Sequence, residues 1–204
     1  MAVTRLRSPD KALSTSAHLP VVSLPVPQLV RISGHKAGEP YFGTSGGNRF
    51  DAPGCKTGSA EYASCYLGLT FEVALAESLL HDAVPVKGKF PVAKSEIDRR
   101  WVHRFSADLR LFDLSGPLLK TMGGHVGLTG TGNYALSQKW ALAVFRNPLQ
   151  VDGFIYVSRH LPNGCAVVLF DRAKAKLQPI GNPVSLDQAP GMAAAMTAFS
   201  IDVA

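Results

Sequence analysis

The sequence is poor in cysteine and has no long apolar run, and both shortages restrict what the protein can be. Its three cysteines, Cys55, Cys65 and Cys165, are an odd number without a CxxC pair. This argues against a disulfide scaffold or a zinc ribbon and fits a reducing cytoplasm. No segment approaches the roughly 20 apolar residues of a membrane span, and the six histidines lack a metal-binding spacing such as HExxH. We therefore expect a cytoplasmic protein without a bound metal or a membrane contact.

The composition is that of a globular protein with a moderate positive charge. The chain has 204 residues, of which 46% are hydrophobic and 18% charged, enough for one domain with a core that needs no disulfides. A formal net charge of +6 attracts phosphate groups. The basic residues are scattered, however, and do not alternate with aromatics as in single-strand binders. Direct nucleic-acid binding is therefore not our expectation, although a non-catalytic basic module that binds nucleic acid remains an alternative.

The chain divides into three parts by composition. Residues 1–27, rich in Ser and Pro, are predicted to be an extended N-terminal arm, residues 28–182 the main folded domain, and residues 183–204 a C-terminal tail. Within the central part, short strands outnumber helices, and neighbouring strands often lack a helical crossover. This pattern predicts a single α+β domain with a mixed, mostly antiparallel β-sheet and flanking helices.

Glu77 raises a specific question because of the helix on which it is predicted to lie. Thr70 is a good N-cap, and the helix after it is apolar nearly all round, as a buried helix is. A carboxylate at position 77 should be partly buried, which is costly unless it is paired or hydrogen-bonded. Either Glu77 is paired for structural reasons or its burial serves chemistry, and the helix alone leaves both interpretations open.

Four other residues are candidates for a functional site. Arg31 interrupts the apolar strand Leu29–Ile32, and Arg49 follows a glycine-rich loop that a ligand could approach closely. Tyr66 lies at the end of the strand before the Glu77 helix. Ser158 ends a strand on the face that also carries Phe154 and Tyr156. Each also has an ordinary structural explanation when considered alone.

These residues, taken in order, resemble the RES domain family, which is named for its Arg, Glu and Ser. The resemblance rests on Arg31, on Arg49-Phe50, on the segment from Tyr66 to Glu77, and on the Asp-Gly-x-x-Tyr-x-Ser-Arg pattern at 152–159. It covers about residues 28–180. The chain departs from the family pattern at Phe50 and Asp51, where Trp and Asn are frequent. The interval from Arg49 to Tyr66 is also longer than usual, since it includes residues 54–59.

The resemblance implies a fold like that of ADP-ribosyltransferase toxins and an activity that consumes NAD. An NAD phosphorylase or NAD glycohydrolase would use NAD as substrate, need no cofactor, and take inorganic phosphate or water as acceptor. A protein mono-ADP-ribosyltransferase is an alternative that differs only in the acceptor. The resemblance further implies a toxin of a bacterial toxin–antitoxin pair, with a helix-turn-helix antitoxin as partner. A homodimer is compatible with the sequence, which does not determine the oligomeric state.

The resemblance also implies the roles of the site residues, and the residue types suit them. Glu77 and Arg31 would be catalytic, and Arg31, Arg49, Tyr66 and Ser158 would bind NAD. Breaking the nicotinamide–ribose bond builds positive charge on the ribose, which a fixed carboxylate stabilises where water is excluded. Guanidinium groups fork onto a pyrophosphate. We therefore expect Ser158 Oγ within a few ångströms of the Glu77 carboxylate, with strand 153–158 beside the strand of Tyr66 and Arg31 in another wall of the same cavity.

Overall fold

A curled β-sheet forms the centre of the structure. The computed structural model describes residues 6–204, and of residues 25–27 the backbone only. In this part of the chain the main sheet has seven strands: β1 (Val22–Ser33), β2 (Ser64–Gly68), β4 (Trp101–Asp113), β5 (Gly153–Val157), β6 (Cys165–Phe170), β7 (Gln178–Pro179) and β8 (Val184–Ser185). A separate parallel pair consists of β3 (Phe90–Val92) and β9 (Ile201–Val203).

The sheet closes into a ring of five strands. The strand order is β1-β2-β6-β5-β4, and β1 also pairs with β4 along most of its length. Within this ring only β4 and β5 run parallel, whereas the other neighbouring strands are antiparallel. The fold is therefore α+β with a mostly antiparallel sheet, as the pattern of short strands predicts.

Alternate residues of the ring strands fill its interior. Because side chains in a strand point alternately to opposite faces, one set from every strand meets inside the ring. This set consists of buried apolar residues: Leu29, Cys65, Leu67, Phe105, Leu109, Leu111, Ile155, Val167 and Leu169. The opposite set from β5 and β6 faces outward and packs against a helix layer.

The helices are short and cover the outside of the ring. In residues 6–204 they are α1 (Ala12–Thr15), α2 (Phe71–Ala76), α3 (Lys94–Asp98), α4 (Pro117–Thr121), α5 (Gly127–Gly130), α6 (Tyr134–Phe145) and α7 (Met192–Ala198). Three 3-10 turns lie at Cys55–Thr57, Asp171–Lys176 and Leu186–Gln188. None of the helices within this range is long and apolar enough to cross a membrane.

The structure corrects the expected N-terminal arm. Residues 1–5 lie outside the described part, but residues 6–27 are not a free arm: α1 buries Leu13 completely in the main core. The side-chain amide of Asn147 donates to the carbonyls of Leu13 at 2.8 Å and Ser16 at 3.0 Å, and the Trp140 indole donates to the Arg7 carbonyl at 2.8 Å. These contacts tie the segment to α6 and to the turn that follows it, and β1 then begins at Val22.

The expected C-terminal tail, residues 183–204, is also part of the fold. It forms β8, a 3-10 turn, α7 and β9. Leu186, Met192 and Ala195 are buried in a second core together with Phe71 and Leu75 of α2. The low charge and high Ala and Met content of this segment suit a helix packed on an apolar surface, because burial of these side chains stabilises it.

The helix before Glu77 is shorter than the sequence predicts. The Thr70 hydroxyl accepts a hydrogen bond from the Val73 backbone N–H at 3.2 Å and caps the helix as expected. The helix ends at Ala76, with Glu77 as its C-cap residue. Glu77 therefore leaves the end of a buried helix and is itself half-buried, instead of lying within an all-round apolar surface.

Candidate active site

The Glu77 carboxylate is held by the segment that follows β5. Ser158 Oγ donates a hydrogen bond to Glu77 Oε1 at 2.5 Å, and the backbone N–H of Arg159 donates to the same oxygen at 3.1 Å. Ser158 Oγ also accepts from the backbone N–H groups of His160 at 3.2 Å and Leu161 at 3.1 Å. Glu77 is therefore paired through hydrogen bonds, which lowers the cost of burying its charge.

The expected proximity of Ser158 and Glu77 agrees with this geometry, but the expected strand neighbours do not. β6 lies between β5 and β2 and pairs with both, so strand 153–158 does not run beside the strand of Tyr66. The hairpin at 162–164 returns the chain directly onto β5. Ser158 is buried, with 1% of its surface exposed, and its contacts are with Glu77 and the turn.

A cleft of about 400 Å³ lies over Glu77. Arg31, Arg49 and Arg159 line it, together with Tyr66, Tyr134 and Tyr156 and the histidines His81 and His160. The structure thus brings Arg31, Arg49, Tyr66 and Glu77 to one cavity, while Ser158 lies behind Glu77. Cations, aromatic rings and one carboxylate facing a common space suit a ligand with phosphate groups and a flat ring.

Arg31 is held in its cleft wall by a buried carboxylate that the sequence did not reveal. Arg31 Nε donates to Glu39 Oε2 at 2.5 Å, and Nη1 donates to the Tyr66 carbonyl at 3.1 Å. The side chain of Glu39 is only 1% exposed, against 19% for Arg31. Burial raises the pKa of Glu39, but Arg31 and hydrogen bonds from Ser33 and Tyr41 outweigh it, so the pKa is lowered overall. Glu39 lies in a loop without a recognisable motif, and its partner is evident only in the fold.

Arg49 lies against the start of α6. Its guanidinium lies over the Tyr134 ring at 4.7 Å from the centroid, a cation–π contact, and Nη1 donates to the Thr131 carbonyl. Burial lowers the pKa of Arg49, and Arg159 adds to this, while Tyr134 and Glu77 act in the opposite direction. An arginine stays charged under such a shift, so Arg49 brings a positive charge close to the Glu77 carboxylate.

Tyr66 fixes the turn that carries Arg49. Its hydroxyl accepts from the Phe50 backbone N–H at 2.9 Å and donates to Asp51 Oδ1 at 3.1 Å. Ser64 Oγ donates to the same Asp51 oxygen at 2.7 Å, and the Asn48 backbone N–H donates to Asp51 Oδ2 at 3.1 Å. Burial raises the pKa of Tyr66 well above its ordinary value, which keeps the hydroxyl proton available for Asp51.

This network explains why a carboxylate suits position 51. Asp51 is completely buried, and it accepts hydrogen bonds from the Tyr66 hydroxyl, Ser64 Oγ and the Asn48 backbone N–H. An ionised carboxylate accepts at both oxygens, whereas an asparagine would present an NH₂ group to some of these donors. Asp51 therefore keeps the Arg49 turn anchored.

Two histidines and Tyr156 are cleft residues that sequence reasoning missed. The rings of His81 and His160 lie 4.7 Å apart. Burial lowers the pKa of His160, opposed by Glu77 and aided by His81 and Arg159. Burial, and then the charge of Glu77, raise the pKa of Tyr156. Arg159 and His160 directly follow Ser158, so their position in the chain was the available signal.

Comparison with known proteins places the chain in a family. The family model of the RES domain matches residues 28–189, and the chain belongs to the RES domain family. No curated protein matches the chain.

The solved structures that resemble the chain in fold include a toxin–antitoxin complex. It is the crystal structure of the M. tuberculosis MbcT–MbcA toxin–antitoxin complex, in which the MbcT toxin superposes with a TM-score of 0.62. The two chains are 14% identical, and the match covers 81% of this chain and 86% of the other. At this identity the likeness concerns the fold alone.

Proposed function

We propose that this protein is an enzyme that cleaves the nicotinamide–ribose bond of NAD and acts as the toxin of a toxin–antitoxin pair. The observation that carries the proposal is the Glu77 carboxylate, fixed by Ser158 Oγ and the Arg159 N–H at the base of a cleft with three arginines. Membership of the RES domain family and the fold shared with a toxin chain support the same assignment.

The position of Glu77 suits the charge that develops in this reaction. As the bond breaks, its electron pair moves onto the nicotinamide nitrogen, which becomes neutral, and positive charge builds on the ribose. A carboxylate fixed beforehand stabilises this charge without reorganising during the reaction. Both hydrogen bonds described for Glu77 are accepted by Oε1, which leaves Oε2 to accept from a ribose hydroxyl.

The cations of the cleft would bind the pyrophosphate, but they are not equivalent. Arg49 lies close enough to Arg159 and Glu77 for both charges to shift its pKa, and the backbone N–H of Arg159 contacts Glu77 directly. Arg31 is already paired with the Glu39 carboxylate, which partly neutralises its charge. It would therefore attract a phosphate less strongly and would mainly supply a hydrogen-bond donor in a fixed direction. We therefore assign the pyrophosphate chiefly to Arg49 and Arg159, with Arg31 as a further contact, while the Tyr66 and Tyr156 rings would bound the nicotinamide end.

The acceptor is either inorganic phosphate or water. An oxygen of the acceptor bonds to the ribose carbon that nicotinamide leaves, and the acceptor releases a proton if it is water. The products would be nicotinamide with ADP-ribose-1″-phosphate or with ADP-ribose. No cofactor takes part in either reaction.

Product analysis after incubation with NAD tests this function. Purified protein with NAD alone, and with NAD and phosphate, should release nicotinamide, and Glu77→Gln should lose most of this turnover. A product that appears only when a protein acceptor is added would instead identify a mono-ADP-ribosyltransferase. Absence of turnover together with salt-sensitive binding to DNA or RNA would identify a nucleic-acid-binding module.

The antitoxin partner is part of the same proposal. Expression of the wild-type chain in bacteria should arrest growth and lower cellular NAD, whereas Glu77→Gln should do neither. Co-expression of a helix-turn-helix protein from a neighbouring reading frame should restore growth and co-purify with the chain. Growth arrest that persists in the Glu77→Gln strain would show that toxicity does not depend on the proposed chemistry.

A further inference from the structure

A second cavity adjoins the cleft over Glu77. It has a volume of about 540 Å³ and lies between the segments 46–47 and 54–57 and the start of α6. Gly47 and Tyr134 line both cavities, so these two residues form a boundary that the two spaces share. None of the roles assigned above uses this second cavity.

The cleft over Glu77 is too small to enclose a whole dinucleotide. Ligand cavities span roughly 300–1,000 Å³, and the cleft over Glu77, at about 400 Å³, lies near the lower limit. NAD consists of two nucleotides joined by a pyrophosphate. With the nicotinamide ribose over Glu77, the other nucleotide must extend from the cleft, and the shared boundary at Gly47 and Tyr134 is a direct route.

The boundary carries the group that a pyrophosphate requires. Arg49 lines the cleft and lies over the Tyr134 ring, and Tyr134 faces the second cavity as well. A pyrophosphate bound by Arg49 would therefore lie where the two cavities meet.

The walls of the second cavity are fixed and allow close approach. Gly46 and Gly54 line it with positive φ angles of 69° and 83°, and a Cβ atom at Gly46 would lie 2.9 Å from the Cβ of Cys55. Gln138 Nε2 donates to the Gly46 carbonyl at 3.3 Å and the Asn48 carbonyl at 3.1 Å, which ties the loop to α6. Glycine backbone lets a ligand approach without side-chain obstruction.

One wall comes from the segment that lengthens the interval between Arg49 and Tyr66. Residues 54–59 include the 3-10 turn Cys55–Thr57, and Lys56 in this turn lines the second cavity. Lys56 is exposed, and an ammonium group there is a suitable partner for a phosphate oxygen. The lengthened interval thus supplies both a wall and a cation.

From these observations we infer that the second cavity binds the adenosine monophosphate half of a dinucleotide substrate, with Lys56 beside its phosphate. This inference rests on the proposed function, and it assigns the specificity for a dinucleotide over a mononucleotide to residues 46–57 and the first turn of α6.

Filling the cavity tests the inference. Ala135 lines it from the exposed side of α6, so Ala135→Trp would occupy the space, and Lys139→Trp, also exposed on α6 but not among the lining residues, is the matched control. We expect Ala135→Trp to lower kcat/KM for NAD at least tenfold and to change kcat/KM for nicotinamide mononucleotide less than twofold. Lys56→Ala should raise KM for NAD several-fold and leave the mononucleotide reaction unchanged.

A binding measurement separates this inference from the proposed function. ADP-ribose binding by calorimetry needs no turnover, and Ala135→Trp should weaken it at least tenfold while Lys139→Trp does not. If wild-type protein fails to turn over NAD, the proposed function is wrong. If Ala135→Trp retains wild-type affinity for ADP-ribose, or lowers turnover of NAD and of the mononucleotide equally, the adenosine half binds elsewhere and the inference is wrong.

Discussion

Substitution of Ser158 by alanine would distinguish a positioning role from a substrate-binding role. The variant removes the 2.5 Å hydrogen bond to Glu77 Oε1 and leaves the Arg159 N–H bond in place. A hydrogen bond to a charged group contributes about 1.5–3 kcal/mol. If that amount is lost from transition-state stabilisation, kcat falls about 10- to 150-fold. Glu77→Gln removes the charge itself and should therefore lower kcat further than Ser158→Ala does.

The division of the effect between kcat and KM is the informative result. Ser158 is 1% exposed and lies behind Glu77, so KM for NAD should change less than threefold in Ser158→Ala. Ser115→Ala is a matched control, since Ser115 Oγ also donates to a carboxylate, Asp113 Oδ1, at 2.5 Å. Melting temperatures of both variants would show whether folding is preserved.

Two outcomes would refute this reasoning. A folded Ser158→Ala variant with wild-type kcat would show that the hydrogen bond does not position Glu77 for catalysis. A raised KM with unchanged kcat would show that Ser158 contacts NAD directly, as the family resemblance implies.

Three further predictions concern single residues. Glu77→Gln should keep the melting temperature within a few degrees and lose at least 100-fold in NAD turnover, since a neutral amide cannot stabilise the ribose cation; activity within a few-fold of wild type would exclude a catalytic role. Arg31→Lys keeps a charge beside Glu39 but loses the fork, and calorimetry should show NAD affinity weaker by about 1–3 kcal/mol, whereas unchanged affinity would exclude a contact with the pyrophosphate. The pKa of His160 is lowered in the folded protein, so as the pH falls below about 6.5 the unfolded chain binds the proton first and stability falls. His160→Asn should therefore flatten the loss of stability in urea unfolding between pH 7 and pH 5, and an unchanged slope would contradict the shift.

The order of residues along the chain was sufficient to predict the family and most residues of the candidate site. Arg31, Arg49, Tyr66 and Glu77 were recognisable as candidates because each is a polar or charged group in an apolar or glycine-rich context, and all four line one cleft. The alternation of short strands with few helical crossovers was sufficient for the fold class, because that pattern permits few layer arrangements. Local information of this kind is written directly in the sequence.

The partners of these residues were decided by the tertiary structure. Glu39 pairs with Arg31 through a loop whose sequence has no motif, and the Asn147 side chain donates to the Leu13 carbonyl across 134 positions of the chain. The N-terminal segment was predicted to be an arm because it is rich in Ser and Pro, yet Leu13 is fully buried in the core beside α6. Closure of the sheet into a ring also placed β6 between β5 and β2. Such contacts depend on which surfaces come together after the strands pair. They cannot be predicted from residue type or from spacing along the chain.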